Sequence, residues 1–283
     1  NGTYQVWLEG DQVSDVNGFL ASEGMLGSFN VQLIGATEFT VNSLEDTVDA
    51  NPGDGYVRDS SGKTTLRAAI QETNQLSGAN TIYLPAGTYK LGISGTDEDA
   101  AATGDLDIRG DLTIVAEGQV TIDADELDRV FDVASGVTLV IRGVTLTGGN
   151  TTGPGGGLRN TGGTVTFEQG TLSGNTADLG GAFANLSSGQ LTITGSTVST
   201  NTASTGGAVL NDEGTVTITS STVTANTATQ AGGVGNLSGT IHLKNSIVAD
   251  NTASSANPDV TGSFVSAGNN LIGNLGNATG LTH

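Results

Sequence analysis

The stretch that decides the fold is Val209-Leu210-Asn211-Asp212-Glu213-Gly214-Thr215-Val216-Thr217-Ile218-Thr219-Ser220-Ser221-Thr222-Val223-Thr224-Ala225-Asn226-Thr227-Ala228-Thr229-Gln230-Ala231-Gly232-Gly233. At Val234 the pattern starts again. Within it, Thr215 to Thr219 alternates polar and apolar residues, the period-2 pattern of a half-buried strand. Working outward, one apolar ladder reads Ile108, Val133, Leu158, Phe183, Val209, Val234 and Val260, at intervals of 25, 25, 25, 26, 25 and 26 residues. A second reads Ile114, Leu139, Val165, Leu191, Val216 and Ile241, and a third Leu146, Leu172, Val198, Val223 and Val248. Self-similarity at this period marks a solenoid, in which each repeat stacks on its neighbour. Three ladders predict an all-β parallel β-helix of about 25 residues per coil with three strands in each coil.

Composition agrees. The chain has 283 residues, with 44 Gly and no Cys, and only 4 % are aromatic. The glycines have no triplet period, so they mark turns and not a collagen helix. A narrow column of stacked Val, Ile and Leu needs few aromatic rings. The net charge of −20 argues against nucleic acid, whose phosphates require basic surface, and against an anionic membrane. Without Cys there is no disulfide framework and no thiolate metal site. No apolar run approaches the ~20 residues of a spanning helix, so no membrane insertion is expected. The chain opens at Asn1 without a basic and apolar leader, and reads as a processed or truncated start.

Three regions follow. Residues 1–36 carry no repeat but hold two amphipathic strand patterns. Tyr4, Val6 and Leu8 share one face, and Phe29, Val31 and Leu33 share another, with no visible partner. Residues 37–90 form an N-terminal cap. In it, the strand Glu38 to Val41 leads into a polar loop, and a helix is expected from Thr65 to Asn74. Leu66, Ala69, Ile70 and Thr73 define its buried face, while Arg67, Gln71 and Glu72 point elsewhere. The strand Thr81 to Leu84 begins the coils, and Pro85-Ala86-Gly87 reads as a turn. Residues 91–283 are the β-helix and its tail. Within them Asn150, Asn175, Asn201, Asn226 and Asn251 form one recurring file, and Asn160, Asn185, Asn211 and Asn236 a second. Asn suits sharp turns and can pass amide hydrogen bonds between coils. Gly180-Gly181, Gly206-Gly207 and Gly232-Gly233 mark a further turn.

Phe39 to Tyr89 resembles the CSLREA-type cap that precedes many bacterial surface β-helices. The matching residues are Thr40 to Ser43, Asp46 to Gly55, Thr65 to Glu72 and Ala79 to Ile82. The coil segments Gly155 to Asn160 and Ser173 to Ala177, and Gly268 to Gly273 near the end, fit the same group's repeat. The resemblance implies a right-handed, single-stranded parallel β-helix on a secreted or cell-surface bacterial protein, and no particular reaction. The family's motif Cys falls on Thr64, with its partner at Val57. Val260 and Leu281 stand where relatives often carry Cys, so two disulfides implied by the resemblance are absent.

Cleavage of an acidic polysaccharide would need carboxylates holding Ca²⁺ and a cationic base on adjacent coils. The candidate anions are Asp105, Asp107, Asp123, Asp125, Glu126, Asp128 and Asp132, and the candidate base is Arg129 or Arg142. Asp107 and Asp132 have the spacing of one coil. The following rungs, at the same step, are Gly157, Ala182, Ala208 and Gly233, which leaves that column empty and favours a solvated acidic rim. Asp49 to Gly55 looks like a Ca²⁺ loop but has Ser60 where the bidentate Glu belongs, so it reads as a polar turn. The outward threonines Thr164, Thr166, Thr192, Thr194, Thr215, Thr217 and Thr219 are interrupted by Glu168, Gln190, His242 and Lys244, which argues against an ice-binding array. Asn1, Asn150, Asn185, Asn236 and Asn277 open N-x-S/T triplets, as expected by chance in so Asn- and Thr-rich a chain.

The tail from Gly262 is small and polar, with Phe264, Leu271, Ile272 and Leu275 its only large apolar groups, so no cap is legible there. An uncovered end invites another subunit. The sequence therefore predicts a non-enzymatic extracellular structural or adhesive module. Its expected partners are copies of itself, stacked end to end as a filament, and cell-surface or matrix glycans. No catalytic, cofactor or metal site is assigned. The alternative is a polysaccharide-binding or polysaccharide-cleaving β-helix.

Overall fold

The computed structural model describes residues 2–8, 24–31, 37–96 and 98–281. They fall into two compact units, Asn1–Gly35 and Ala36–His283. In the first, Gly2–Leu8 pairs antiparallel with Gly24–Val31, Tyr4 opposite Phe29 and Val6 opposite Gly27. The two amphipathic strands thus partner each other. The second strand begins earlier than its sequence pattern, and Leu33 lies outside the described residues.

The second unit is a parallel β-solenoid. Its coils build three sheets of fourteen, seven and four strands. In the first coils one long strand serves a whole side, as in Asn80–Lys90, Leu112–Asp123 and Thr138–Thr147. Pro85 to Gly87 is an irregularity inside such a strand and not a turn. From Thr164 onward that side splits in two, Thr164–Glu168 and Thr171–Ser173. The regular coils gain a further strand, Thr176–Leu179 and its equivalents, stacked as the four-stranded sheet. Only Ala177, Ala203 and Ala228 from this sheet are buried, too small to announce a strand through an apolar ladder.

Registration corrects two ladders at their first rungs. Leu158 stacks on Phe131 and Leu106, not on Val133 and Ile108. Leu139 stacks on Leu112, not Ile114, which sits under Ile141. Coils are not of equal length, and a constant step slides off register where residues are inserted. The third ladder holds, from Ile122 through Leu146 to Val248 and Ile272. All the ladder residues from Leu106 to Val260 are buried.

The Asn files run inside the coil corners. Asn175, Asn201 and Asn226 each donate from Nδ2 to Oδ1 of the next rung at 2.9 Å. The same Oδ1 atoms accept the preceding rung's backbone N–H, and Asp259 ends the file by accepting from Asn251 at 2.8 Å. Asn150 does not belong to it. It is exposed and bridges to Thr176, and Gly149 takes the ladder position by donating to Asn175 Oδ1. The second file, Asn160 to Asn236, is linked at 2.8 to 2.9 Å. Ser196, Ser221 and Ser246 form a third that the sequence did not announce, each hydroxyl accepting a backbone N–H from the coil before. Asn185 and Asn236 are buried in their file, which removes those two triplets from the surface.

The helix is Leu66–Thr73, N-capped by Thr65, whose hydroxyl accepts from Ala68 N. All eight residues are buried, including Arg67, Gln71 and Glu72, which the periodicity placed outside. The polar loop covers that side: Gln71 accepts from Asp49 N, and the Glu72 carboxylate accepts from Gly53 N and Gly55 N. Arg67 donates to Asp46 with two nitrogens, at 2.6 and 3.1 Å, and to the carbonyls of Ala101, Gly104 and Asp105. Asn74 donates to Asp107 O and accepts from Arg109 N and Gly110 N. Helix side chains thereby satisfy the backbone at the opening edge of the seven-stranded sheet, the task of a cap. The Thr64 hydroxyl donates to Val57 O at 3.0 Å, so these two positions are neighbours.

The tail also closes part of the far end, contrary to the expectation of an uncovered coil. Thr279 pairs with Ser263, accepts from Phe264 N and donates to Gly262 O. Ile272, Ala278 and Leu281 pack on the core beside buried Phe264. Small polar residues conceal this closure, because its pairing is through the backbone. Among the described residues no helix is long and apolar enough to cross a membrane.

Candidate functional site

The candidate site is built on three successive strands of the seven-stranded sheet, Leu106–Ile108, Phe131–Val133 and Leu158–Thr161. Leu106, Ile108, Phe131, Val133 and Leu158 point into the core. Alternation sends Asp107, Asp132 and Arg159, which lie in register, to the outer face. Asp107 is nevertheless fully buried, because the segment around Ala101 folds over it and donates Ala101 N to its carboxylate at 2.9 Å.

The charges answer one another across coils. Arg159 grips Asp132 through Nε and Nη2 at 2.8 and 2.7 Å. Arg129 Nη1 donates to Asp105 at 2.7 Å. Arg109 Nη2 donates to Asp107 at 2.9 Å and to Asp99, and lies 3.5 Å from Asp132. Carboxylate oxygens of Asp99, Asp107 and Asp132 come within 4.8 Å of one another, a grouping that could hold a metal ion. The Arg109 guanidinium bonds to Asp99 and Asp107, lies within ion-pair range of Asp132, and serves there as their counter-charge.

Burial governs the protonation of this cluster. It pushes Asp105 up to about 6, helped by Asp128 and Asp132 and opposed by Arg129. It pushes Asp107 up to about 7, helped by Asp105 and Glu98 and opposed by Ala101 N–H and Arg109. Burial acts on Asp132 too, but the bidentate Arg159 bond with Arg109 and Arg129 outweighs it and holds the carboxyl below its usual range. The same bond raises Arg159.

Beside the cluster lies a pocket of about 250 Å³, lined by Thr96, Asp128, Arg129, Thr151, Thr152, Gly153 and Arg159. Arg129 Nε is buried without a hydrogen-bond partner among the described residues. Among the described residues its Nη2 reaches Thr151 Oγ1 alone, at 3.4 Å.

Of the candidates read from the sequence, Asp105, Asp107, Asp128, Arg129 and Asp132 come together. Asp123, Asp125 and Glu126 do not: Asp125 pairs with Lys90 at 2.8 Å, at the end of the fourteen-stranded sheet. Arg142 pairs with Glu168 at 2.9 Å on that sheet's outer face. The column expected to pass from Asp132 to Gly157 passes instead to Arg159, then Ala184, Leu210 and Gly235. Arg159, Arg109 and Asp99 were therefore missed. The coil after Asp132 is two residues longer than its neighbours, and only registration shows it.

In the Asp49 to Gly55 loop the carboxylate of Asp49 and that of Glu72 bind backbone N–H groups. Asp49 accepts from Asn51 N at 2.8 Å and Arg58 N at 3.3 Å, and burial raises both Asp49 and Glu72. The Thr files of the fourteen-stranded sheet are interrupted as read, Thr217 giving way to His242 and Thr219 to Lys244. An exposed file of Thr176, Thr202, Thr227 and Thr252 runs unbroken on the four-stranded sheet. No protein-family model, curated protein or solved structure matches the chain.

Proposed function

We propose that this chain is a non-enzymatic structural or adhesive solenoid, displayed outside a bacterial cell as the resemblance of its cap and coils implies. The observation that carries this reading is the fate of the candidate catalytic charges. Asp105, Asp132 and Asp107 are each bonded to an arginine of the same or a neighbouring coil, so they lock the stack at its most irregular point. Carboxylates already paired with guanidiniums are poorly placed to hold Ca²⁺, and Arg129, bonded to Asp105, is poorly placed to take a proton from a substrate.

End-to-end assembly is part of the proposal. Glu38–Thr40 and Phe264–Ser266 are the first and last strands of one continuous column of the fourteen-stranded sheet. Among the described residues each has a strand partner in that column on one side only. A second copy could continue the column in register, Glu38 over Val265, wherever the tail leaves the edge open. Nine strands spaced ~4.8 Å apart make the column about 40 Å long. Light scattering and negative-stain microscopy over a rising concentration series test this. Rods many multiples of that length support assembly; particles that stay single at high concentration refute it.

A further inference from the structure

The adhesive reading leaves the ligand open, and the pocket beside the charged cluster bears on it. Arg129 is 8 % exposed, and among the described residues its guanidinium is underbonded, with Nε unpartnered and Nη2 at 3.4 Å from one acceptor. Nε is shielded from solvent, but the weakly held Nη2 lies beside Gly153 in the pocket wall, where a ligand or water oxygen would complete it. Arg159, whose Nε and Nη2 hold Asp132, also lines the pocket. The pocket therefore offers donors from two guanidiniums, an acceptor in Asp128, and threonine hydroxyls that do both.

The surrounding charge decides between ligand classes. Five carboxylates, Asp99, Asp105, Asp107, Asp128 and Asp132, face three guanidiniums, Arg109, Arg129 and Arg159. The cluster is net acidic on a chain of net charge −20, so an anionic sugar is repelled. A simple cation would meet arginines in the pocket wall. A neutral ring of hydroxyls meets both donors and acceptors without charge. A volume of about 250 Å³ is below that of a site for a drug-sized molecule and suits a single ring.

We propose that this pocket, walled by Arg129, Arg159, Asp128, Thr151 and Gly153, is a subsite for one neutral pyranose residue of a glycan. The inference rests on the adhesive part of the reading above and is independent of whether subunits stack. Gly153 supplies the blocking variant. A Cβ there would sit 3.4 Å from Arg129 Nη2, an ordinary contact that the fold tolerates, yet it fills the space a hydroxyl would need. Saturation-transfer NMR on the full chain, with methyl glycosides of glucose, mannose, galactose and N-acetylglucosamine, is the test, with galacturonate and glycerol alongside. At least one neutral glycoside is expected to bind with a millimolar dissociation constant, and Gly153→Ala to weaken it at least ten-fold. Thr151→Ala should weaken it about five-fold. Three outcomes each overturn the inference: no glycoside binds, galacturonate or glycerol binds as tightly, or Gly153→Ala changes nothing. Rods under the microscope with a silent pocket would refute this inference alone; a binding pocket on a strict monomer would refute assembly alone.

Discussion

Asn201 occupies the middle of the first Asn file, and replacing it with Ala measures what the file contributes. Its Oδ1 accepts from Asn175 N at 3.0 Å and Asn175 Nδ2 at 2.9 Å. Its Nδ2 donates to the carbonyls of Leu172 and Ser199, both at 3.0 Å, and to Asn226 Oδ1 at 2.9 Å. Asn201→Ala deletes all of these. Asn175 Nδ2 keeps Leu146 O and Ser173 O, and Asn226 Oδ1 keeps the backbone N–H of residue 201, so those groups stay satisfied. Asn175 N–H loses its acceptor in a site with no solvent, which costs about 1–3 kcal/mol. The lost bonds to Leu172 and Ser199 add about 1 kcal/mol each. The expected loss is about 3–5 kcal/mol. Thr202→Ala, on the exposed face of the same coil, should change stability by less than about 0.5 kcal/mol. Urea unfolding followed by circular dichroism gives the global loss, and amide exchange at Asn175 reports the local one. A loss under about 1 kcal/mol with unchanged Asn175 protection would refute the claim that the ladder holds the coils together.

Three further predictions follow from the cap and the coil corners. Asp105 and Asp107 have folded pKa values near 6 and 7, above their unfolded value of 3.8, so the folded state binds their protons more tightly. Their contribution is complete below about pH 4 and is lost as pH rises through 6 and 7, by an amount on the order of a few kcal/mol. The melting temperature should fall from pH 5 to pH 8, and Asp107→Asn should remove most of that slope; a slope unchanged in the variant counts against the assignment. Arg67→Met should destabilise the cap by about 3–5 kcal/mol, because it leaves the Asp46 carboxylate and three carbonyls buried without their cation, as differential scanning fluorimetry would show. Gly181→Ala drives a Cβ into Gly207 O and within 2.6 Å of Thr202 O, and should cost about 3 kcal/mol in the same assay, whereas Gly136→Ala meets no atom within 4 Å and bears only the backbone strain of its φ of +78°.

The fold was legible because its stabilising pattern is one-dimensional. The recurrence of Val165, Leu191, Val216 and Ile241 states which residues stack, without any knowledge of what lies across the coil. The helix was legible from Leu66, Ala69, Ile70 and Thr73, but its burial all round was not, because the loop that covers Arg67 and Glu72 is polar and lies up to 21 residues away. The fourth strand file was hidden behind alanine, and the closure of the tail behind backbone pairing. At the candidate site the spacing of Asp107 and Asp132 identified two members. Arg159 escaped because a longer coil broke the step.

The sequence alone determined the solenoid, its period and every member of its Asn files but Asn150, since each follows from like residues returning at nearly constant intervals. Tertiary structure decided which charges meet. Arg109, Arg129 and Arg159 reach Asp99, Asp105, Asp107 and Asp132 only because coils of unequal length bring them into register and the segment around Ala101 folds over them. Periodicity encodes contacts between equivalent positions; contacts between inequivalent ones, and the burial that pushes Asp107 toward neutrality, exist only once the chain has wound.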